Sequence, residues 1–155
     1  MNNKTIVLVG QPNSGKSTLF NVLSDIKTNK IAVSGTVGLI NSSVININAN
    51  TYNVIDLPGI YSLNPNDKSE QITLDYLTNN LVDLVLNVID STLLTRGLEL
   101  TIELLELGLP VVVVLNMFDE AEARGIHIDI KKLESILGIP VTATKAKFGK
   151  GIKEL

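Results

Sequence analysis

Cysteine is absent from the 155-residue chain, which removes disulfides and thiolate metal centres from consideration. The one histidine, His127, cannot assemble a zinc or iron site by itself and reads as a surface or packing residue. Aromatic residues make up only 4% of the chain, too few for an aromatic platform on which nucleic-acid bases stack. There is no run of Lys or Arg and the net charge is −3, which argues against sequence-independent binding of RNA or DNA. The longest nearly unbroken apolar run, Leu109 to Leu115, falls far short of the ~20 residues that cross a bilayer. The start, Met1-Asn2-Asn3-Lys4, has no signal-peptide pattern, so a soluble chain of cytoplasmic character is expected.

What is present is a folded, apolar-rich chain: 45% hydrophobic, dominated by Leu, Ile and Val, with 19% charged residues. Its length suits one domain with a sizeable core. Short β-branched runs alternate with helical patterns, which points to an α/β fold with a mostly parallel sheet. Strands are expected at Thr5 to Val9, Ser42 to Asn48, Thr51 to Asp56, Leu84 to Ile89, Val111 to Leu115 and Val141 to Ala143. The second and third form a hairpin about Ala49-Asn50. Helices are expected at Lys16 to Ser24, Ser69 to Thr78 and Thr95 to Leu107, and at Ile130 to Leu137 behind an Asp129 N-cap and ahead of Gly138 and Pro140. Over Thr95 to Leu107, Glu99, Glu103 and Glu106 mark an outer face beside an apolar stripe of Leu98, Ile102 and Leu105, widened by Leu104. A further helix is expected to begin near Gly151 and to be cut off at Leu155.

Gly10-Gln11-Pro12-Asn13-Ser14-Gly15-Lys16-Ser17, followed by Thr18, fits G-x-x-x-x-G-K-[ST] and sits between a strand and a helix, the context this loop requires. Glycines let backbone N–H groups turn towards a β-phosphate, and the helix N-terminus adds its positive dipole end. Lys16 would bridge β- and γ-phosphates, and the Ser17 hydroxyl would bind Mg²⁺. Asp56-Leu57-Pro58-Gly59 follows a strand, so Asp56 can hold Mg²⁺ through water while the Gly59 N–H meets a γ-phosphate. Asn116-Met117-Phe118-Asp119 ends another strand. A carboxylate at Asp119 accepts from guanine N1–H and N2–H₂ together, a donor pair adenine lacks, while Asn116 braces the neighbouring loops and contacts the base. At the last strand and just after it, Val141-Thr142-Ala143-Thr144-Lys145 is where a backbone N–H would meet guanine O6, with Thr142, Ala143 and Thr144 as the expected contacts. The ligands expected are therefore GTP or GDP with Mg²⁺.

These segments resemble the GTPase domain of the FeoB-type ferrous iron transport family. The likeness runs through Gly10 to Asn21, Asp56-Leu-Pro-Gly-Ile-Tyr-Ser-Leu63, Glu70-Gln71, Asn116-Met-Phe-Asp-Glu-Ala-Glu-Ala-Arg-Gly-Ile126, Asp129 to Leu133 and Gly149 to Leu155. The resemblance implies a P-loop NTPase G-domain over residues 1 to 155, with a six-stranded, mostly parallel sheet, one antiparallel strand and helices on both faces. It implies a slow, potassium-stimulated GTPase at the cytoplasmic face of a bacterial or archaeal cell membrane. Its partner would be the membrane-spanning iron permease region of the same full-length protein, with homo-oligomers formed through that protein. On this reading the chain is an excised domain, soluble by itself, without the helical and membrane regions that follow in the family. The resemblance also implies Asn13 as a potassium ligand and Thr36 as a Mg²⁺ ligand in the first switch. The family pattern there is roughly Gly-x-Thr-Val-Glu. Here Ser34-Gly35-Thr36-Val37-Gly38-Leu39 puts Val37 at the ungapped Thr position, so Thr36 serves only if the loop is one residue shorter. Ile60 stands where Ras-like proteins carry a water-positioning Gln, so hydrolysis is expected to be slow. Lys16, Asn13 and Gly59 are the expected catalytic groups. Two other readings share these motifs: a ribosome- or tRNA-associated GTPase, disfavoured by the acidic charge, and a nucleotide sensor without useful turnover, which Ile60 leaves open.

Overall fold

The computed structural model describes residues 3–24 and 40–155. Thr36 and Val37 lie outside the described residues. The expected fold class is found: six strands pair in the order β2-β3-β1-β4-β5-β6. They are β1 (Lys4–Gly10), β2 (Asn41–Ile47), β3 (Asn50–Asp56), β4 (Leu84–Asp90), β5 (Val111–Asn116) and β6 (Val141–Ala143). Only the β2–β3 pair is antiparallel. Interleaved with them are α1 (Lys16–Ser24), α2 (Lys68–Asn79), α3 (Leu94–Glu106), α4 (Phe118–Ala123) and α5 (Ile130–Leu137).

Alternation along the strands divides the core between the two sheet faces. Leu8, Val54, Leu86 and Val114 point to one side and pack with Leu19, Phe20 and Leu23 of α1. Val7, Val9, Ile55, Val85 and Val111 point to the other and pack with Leu77 of α2 and Leu100 and Leu104 of α3. Beside them, Val113 and Leu115 meet Leu133 and Leu137 of α5. Because five strands run the same way, Gly10, Asp56, Asp90, Asn116 and Ala143 end at one edge of the sheet. Pairings such as Leu8↔Asp56, Asp90↔Asn116 and Leu115↔Ala143 hold that alignment. The order reverses direction at β1, the switch point where open α/β sheets bind ligands.

Three expectations need correction. The hairpin turn is Asn48-Ala49, one residue earlier than read, with φ of 48° and 66° and Ile47 paired to Asn50. Two successive positive φ values make a I′-like turn, whose twist suits the strands, and the β-pairing imposes it although neither residue is glycine. The fully buried residues of α3 are Gly97, Leu100, Thr101 and Leu104; of the expected stripe Leu104 is buried and Leu98 and Leu105 pack partly buried against the core, but Ile102 is 52% exposed. A side chain at Gly97 would run into Ile89, and Thr101 Oγ1 accepts from buried Asn87 Nδ2 at 2.7 Å, so the contact face is set by a small and a polar residue that hydrophobic periodicity overlooks. Finally, residues 151–154 form a bend and turns rather than opening a helix. Elsewhere the caps act as read: Asp129 accepts from Lys132 N at 3.0 Å, and the Gly138 N–H donates to Glu134 O at 2.8 Å.

Candidate nucleotide site

The loop from β1 to α1 wraps back on itself because Asn13 and Gly15 both take positive φ, 64° and 83°. At Gly15 a Cβ would also strike the Asn116 side chain, so only glycine fits. At Gly10 it would strike the Val88 carbonyl of the neighbouring strand. The loop bounds a cavity of about 560 Å³ lined by Gln11, Pro12, Asn13, Gly15, Lys16, Ser17, Thr18, Gly59 and Met117. All of these except Thr18 and Met117 come from the two phosphate motifs. Ser14 lies beneath the loop, its hydroxyl buried without a hydrogen-bond partner.

Lys16 is buried, and its ammonium pairs with Asp56 Oδ1; Ser17 Oγ lies 3.4 Å from Asp56 Oδ2. Two of the three side chains expected at Mg²⁺, Ser17 and Asp56, thus stand together, beside the cation expected at the phosphates. The Asp56–Gly59 turn is tied to the phosphate loop: Ile60 N donates to Gly10 O at 3.0 Å, and a side chain at Gly59 would press on Pro12. The Ile60 side chain is 0% exposed, packed among Val9, Leu57 and Leu100, and so presents nothing to a water in the cavity.

Asn116 is the joint of the site. Its Nδ2 donates to Ser14 O at 3.0 Å, and its Oδ1 accepts from Thr144 Oγ1 at 3.1 Å and Ala146 N at 3.0 Å. At 3% exposure, this amide braces the phosphate loop against the loop after β6. Asp119 sits in the first turn of α4, a short helix not anticipated from the sequence, entered through Met117 at φ 55°. It lines a second cavity of about 130 Å³ that shares Gly15, Thr18, Met117 and their neighbourhood with the first. The rest of its wall is Asn116, Glu120 and Lys145 to Phe148.

Thr142, Ala143 and Thr144 do not line that cavity. Thr142 and Ala143 belong to β6, and the Thr144 N–H donates to Leu115 O at 2.8 Å. Lys145, the last residue of the expected segment, does line it. Sequence reasoning also missed the clamp on residues 61–63. Ser62 Oγ donates to Glu103 Oε1 at 2.8 Å and Leu63 N to Glu103 Oε2 at 2.5 Å, while the Arg96 guanidinium lies 5.9 Å from the Tyr61 ring centroid. Glu103 looks like one more solvent-facing glutamate in its helix, so it carried no signal. Buried Glu70 accepts from Asn66 N at 2.8 Å, and its own N–H donates to Asp67 Oδ1 at 2.9 Å. An Asp-x-x-Glu pattern ahead of a helix announces that capping arrangement. Tyr76 of α2 lines a separate cavity with Thr5, Ser42 and Asn53, where burial pushes its phenol up.

Residues 4–155 match the family described as ferrous iron transport protein B. The chain belongs to that family. It is 40% identical over 151 residues to the Fe(2+) transport protein A/Fe(2+) transporter FeoB fusion protein of Porphyromonas gingivalis, covering 97% of this chain and 18% of that protein. The chain therefore spans about a fifth of the length of the curated FeoB relatives it matches. Among solved structures, the FeoB G-domain from Methanococcus jannaschii superposes with a TM-score of 0.87 at 40% identity, covering 99% of this chain and 93% of that one. The cytosolic domain of the T. maritima FeoB iron transporter in a GDP form gives a TM-score of 0.90 at 37% identity, with 99% and 60% covered; a GMPPNP form of it has also been solved. The FeoB G-domain fold thus accounts for the sheet order and for the loops gathered at its edge.

Proposed function

We propose that this chain is the guanine-nucleotide-binding and slowly GTP-hydrolysing domain of a ferrous iron transporter, acting on the cytoplasmic side of the membrane through a permease region of the same protein. The observation that carries the reading is the pair of adjoining cavities: one ringed by the phosphate loop and Gly59, the other bearing Asp119, with Gly15, Thr18 and Met117 in both. That layout suits a ligand with phosphates at one end and a hydrogen-bonding base at the other. The solved GDP and GMPPNP forms of a relative support the same assignment.

On this reading the phosphates displace Asp56 from Lys16, whose ammonium then neutralises the β- and γ-oxygens. Ser17 and Asp56 fit Mg²⁺ as hard oxygen ligands, and the ion would supply further neutralisation of the phosphate charge. Asn13, on the cavity wall, offers an amide oxygen that suits potassium. The Gly59 N–H is the γ-phosphate sensor, and Asp119 reads the guanine edge. Burial of Ile60 leaves water positioning to backbone groups, which supports a slow chemical step. Thr36 is kept as the proposed first-switch ligand of Mg²⁺.

The deciding experiment is steady-state GTP hydrolysis in potassium and in sodium, for the wild type and for Asn13→Ala. Turnover that is faster in potassium, with the stimulation lost in Asn13→Ala while GDP binding persists, is expected. No turnover in either salt, with GTP still bound, would replace the enzyme with a nucleotide sensor.

A further inference from the structure

The loop after β6 ends in an apolar ring that the fold does not bury. Phe148 is 62% exposed, yet it lines the wall of the cavity that holds Asp119. Leaving a phenyl group in water forgoes its burial free energy, and nothing in the core requires it there. Its placement is also not loose. Phe148 N donates to Lys145 O at 2.8 Å and Gly149 N to Ala146 O at 3.0 Å, closing a tight turn. Lys145 N donates to Lys150 O at 3.0 Å, and Lys150 N to Lys145 O at 3.3 Å, closing the loop behind it. Ala146 is buried and held by Asn116 Oδ1, the same amide that grips the phosphate loop. The exposed Lys147 ammonium lies 5.8 Å from the ring centroid. A loop held by backbone hydrogen bonds therefore places an aromatic ring on the wall of a cavity whose carboxylate suits the edge of a purine.

We propose that Phe148 stacks on the face of the bound guanine, supplying affinity that is blind to the base's edge while Asp119 supplies the selectivity. This rests on the guanine-nucleotide reading above and adds a binding residue to it. An aromatic ring stacked on a base contributes enough to shift affinity about 5- to 100-fold, and a partly exposed ring belongs near the lower end.

Two measurements test it. First, affinities for fluorescent GDP and inosine diphosphate are compared in wild type, Phe148→Ala and Phe148→Trp. Phe148→Ala is expected to weaken both ligands by the same factor, about 5- to 10-fold, and Phe148→Trp to keep wild-type affinity. Second, because the chain contains no tryptophan, Phe148→Trp carries a single indole, whose emission is expected to be quenched on addition of unlabelled GDP. If wild type binds guanine nucleotides but Phe148→Ala binds them equally well and the indole emission does not change, the stacking role is overturned alone. A loss in Phe148→Ala that differs between the two bases would also overturn it, since that would mean a disturbed Asp119 edge contact. Failure of the wild type to bind any guanine nucleotide would overturn the function itself.

Discussion

Asp56 uses both carboxylate oxygens within the candidate site. Its carboxylate pairs with buried Lys16 and lies 3.4 Å from the Ser17 hydroxyl, so on the proposed function it competes with a phosphate for Lys16. On the proposed function, nucleotide would break that pair, and the freed carboxylate would hold Mg²⁺ with Ser17. Asp56→Asn should therefore change sign with the metal. In EDTA the variant is expected to bind GDP about tenfold tighter, some 1.4 kcal/mol, because the competitor for Lys16 is gone. With Mg²⁺ it should bind GTP more weakly than wild type. Equal or weaker GDP binding in EDTA, read by fluorescent-nucleotide titration, would refute the competition. Asp119 gives a second residue-scale prediction: Asp119→Asn should lose GTP and gain xanthosine triphosphate, since the new amide donates where the carboxylate accepted. Retained GTP affinity in the same titration would remove the guanine assignment.

At the scale of elements, α3 is the backing on which residues 61–63 are docked. Glu103 accepts from both Ser62 and Leu63, and Arg96 reaches the Tyr61 ring. The Gln11 side chain donates to the Arg96 carbonyl at 2.7 Å, so the same helix also touches the phosphate loop. Glu103→Ala should release the 61–63 segment with modest global cost, about 1–2 kcal/mol. Hydrogen exchange is expected to rise at residues 61–63 and to stay unchanged in β4 and β5; an unaltered segment would show that the clamp does not hold it. Gly97 sets how closely α3 approaches β4. Gly97→Ala would force a methyl group into Ile89, and about 1–3 kcal/mol of destabilisation is expected from chemical denaturation. A neutral result would mean that the helix can shift outward freely.

For the whole molecule, the sheet matters because it brings distant segments to one edge. Asn116 Nδ2 reaches Ser14 across 102 residues of sequence, and Lys16 reaches Asp56 across 40. A ligand spanning these loops would add to the few direct contacts that already tie them together. GDP at about 100 times its dissociation constant should stabilise the fold by ~2.7 kcal/mol, or roughly 5–10 °C in Tm for a domain of this size. ATP at the same concentration should leave Tm unchanged, a comparison that thermal denaturation makes directly.

Local chemistry alone was enough to determine much of this protein. The start of α1 at Lys16, the Asp129 cap, the Gly138 stop and the strand ends at Asp56 and Asn116 each follow from a short pattern whose physics lies within a few residues. The phosphate motif was legible for the same reason: a glycine turn between strand and helix is a local object. Only the tertiary structure decided what stands opposite what. It put Gly97 and Thr101 rather than Ile102 against the sheet, because the register of β4 places Ile89 and Asn87 there. It turned Glu103 from a solvent-facing charge into a clamp, because α3 runs beside residues 62 and 63. It put Lys145, Ala146, Lys147 and Phe148, and not Thr142–Thr144, on the wall of the cavity that holds Asp119, because the Thr144 N–H is held by β5. Periodicity reports how a segment is patterned. Contact partners depend on strand register and helix approach, which are properties of the assembled sheet.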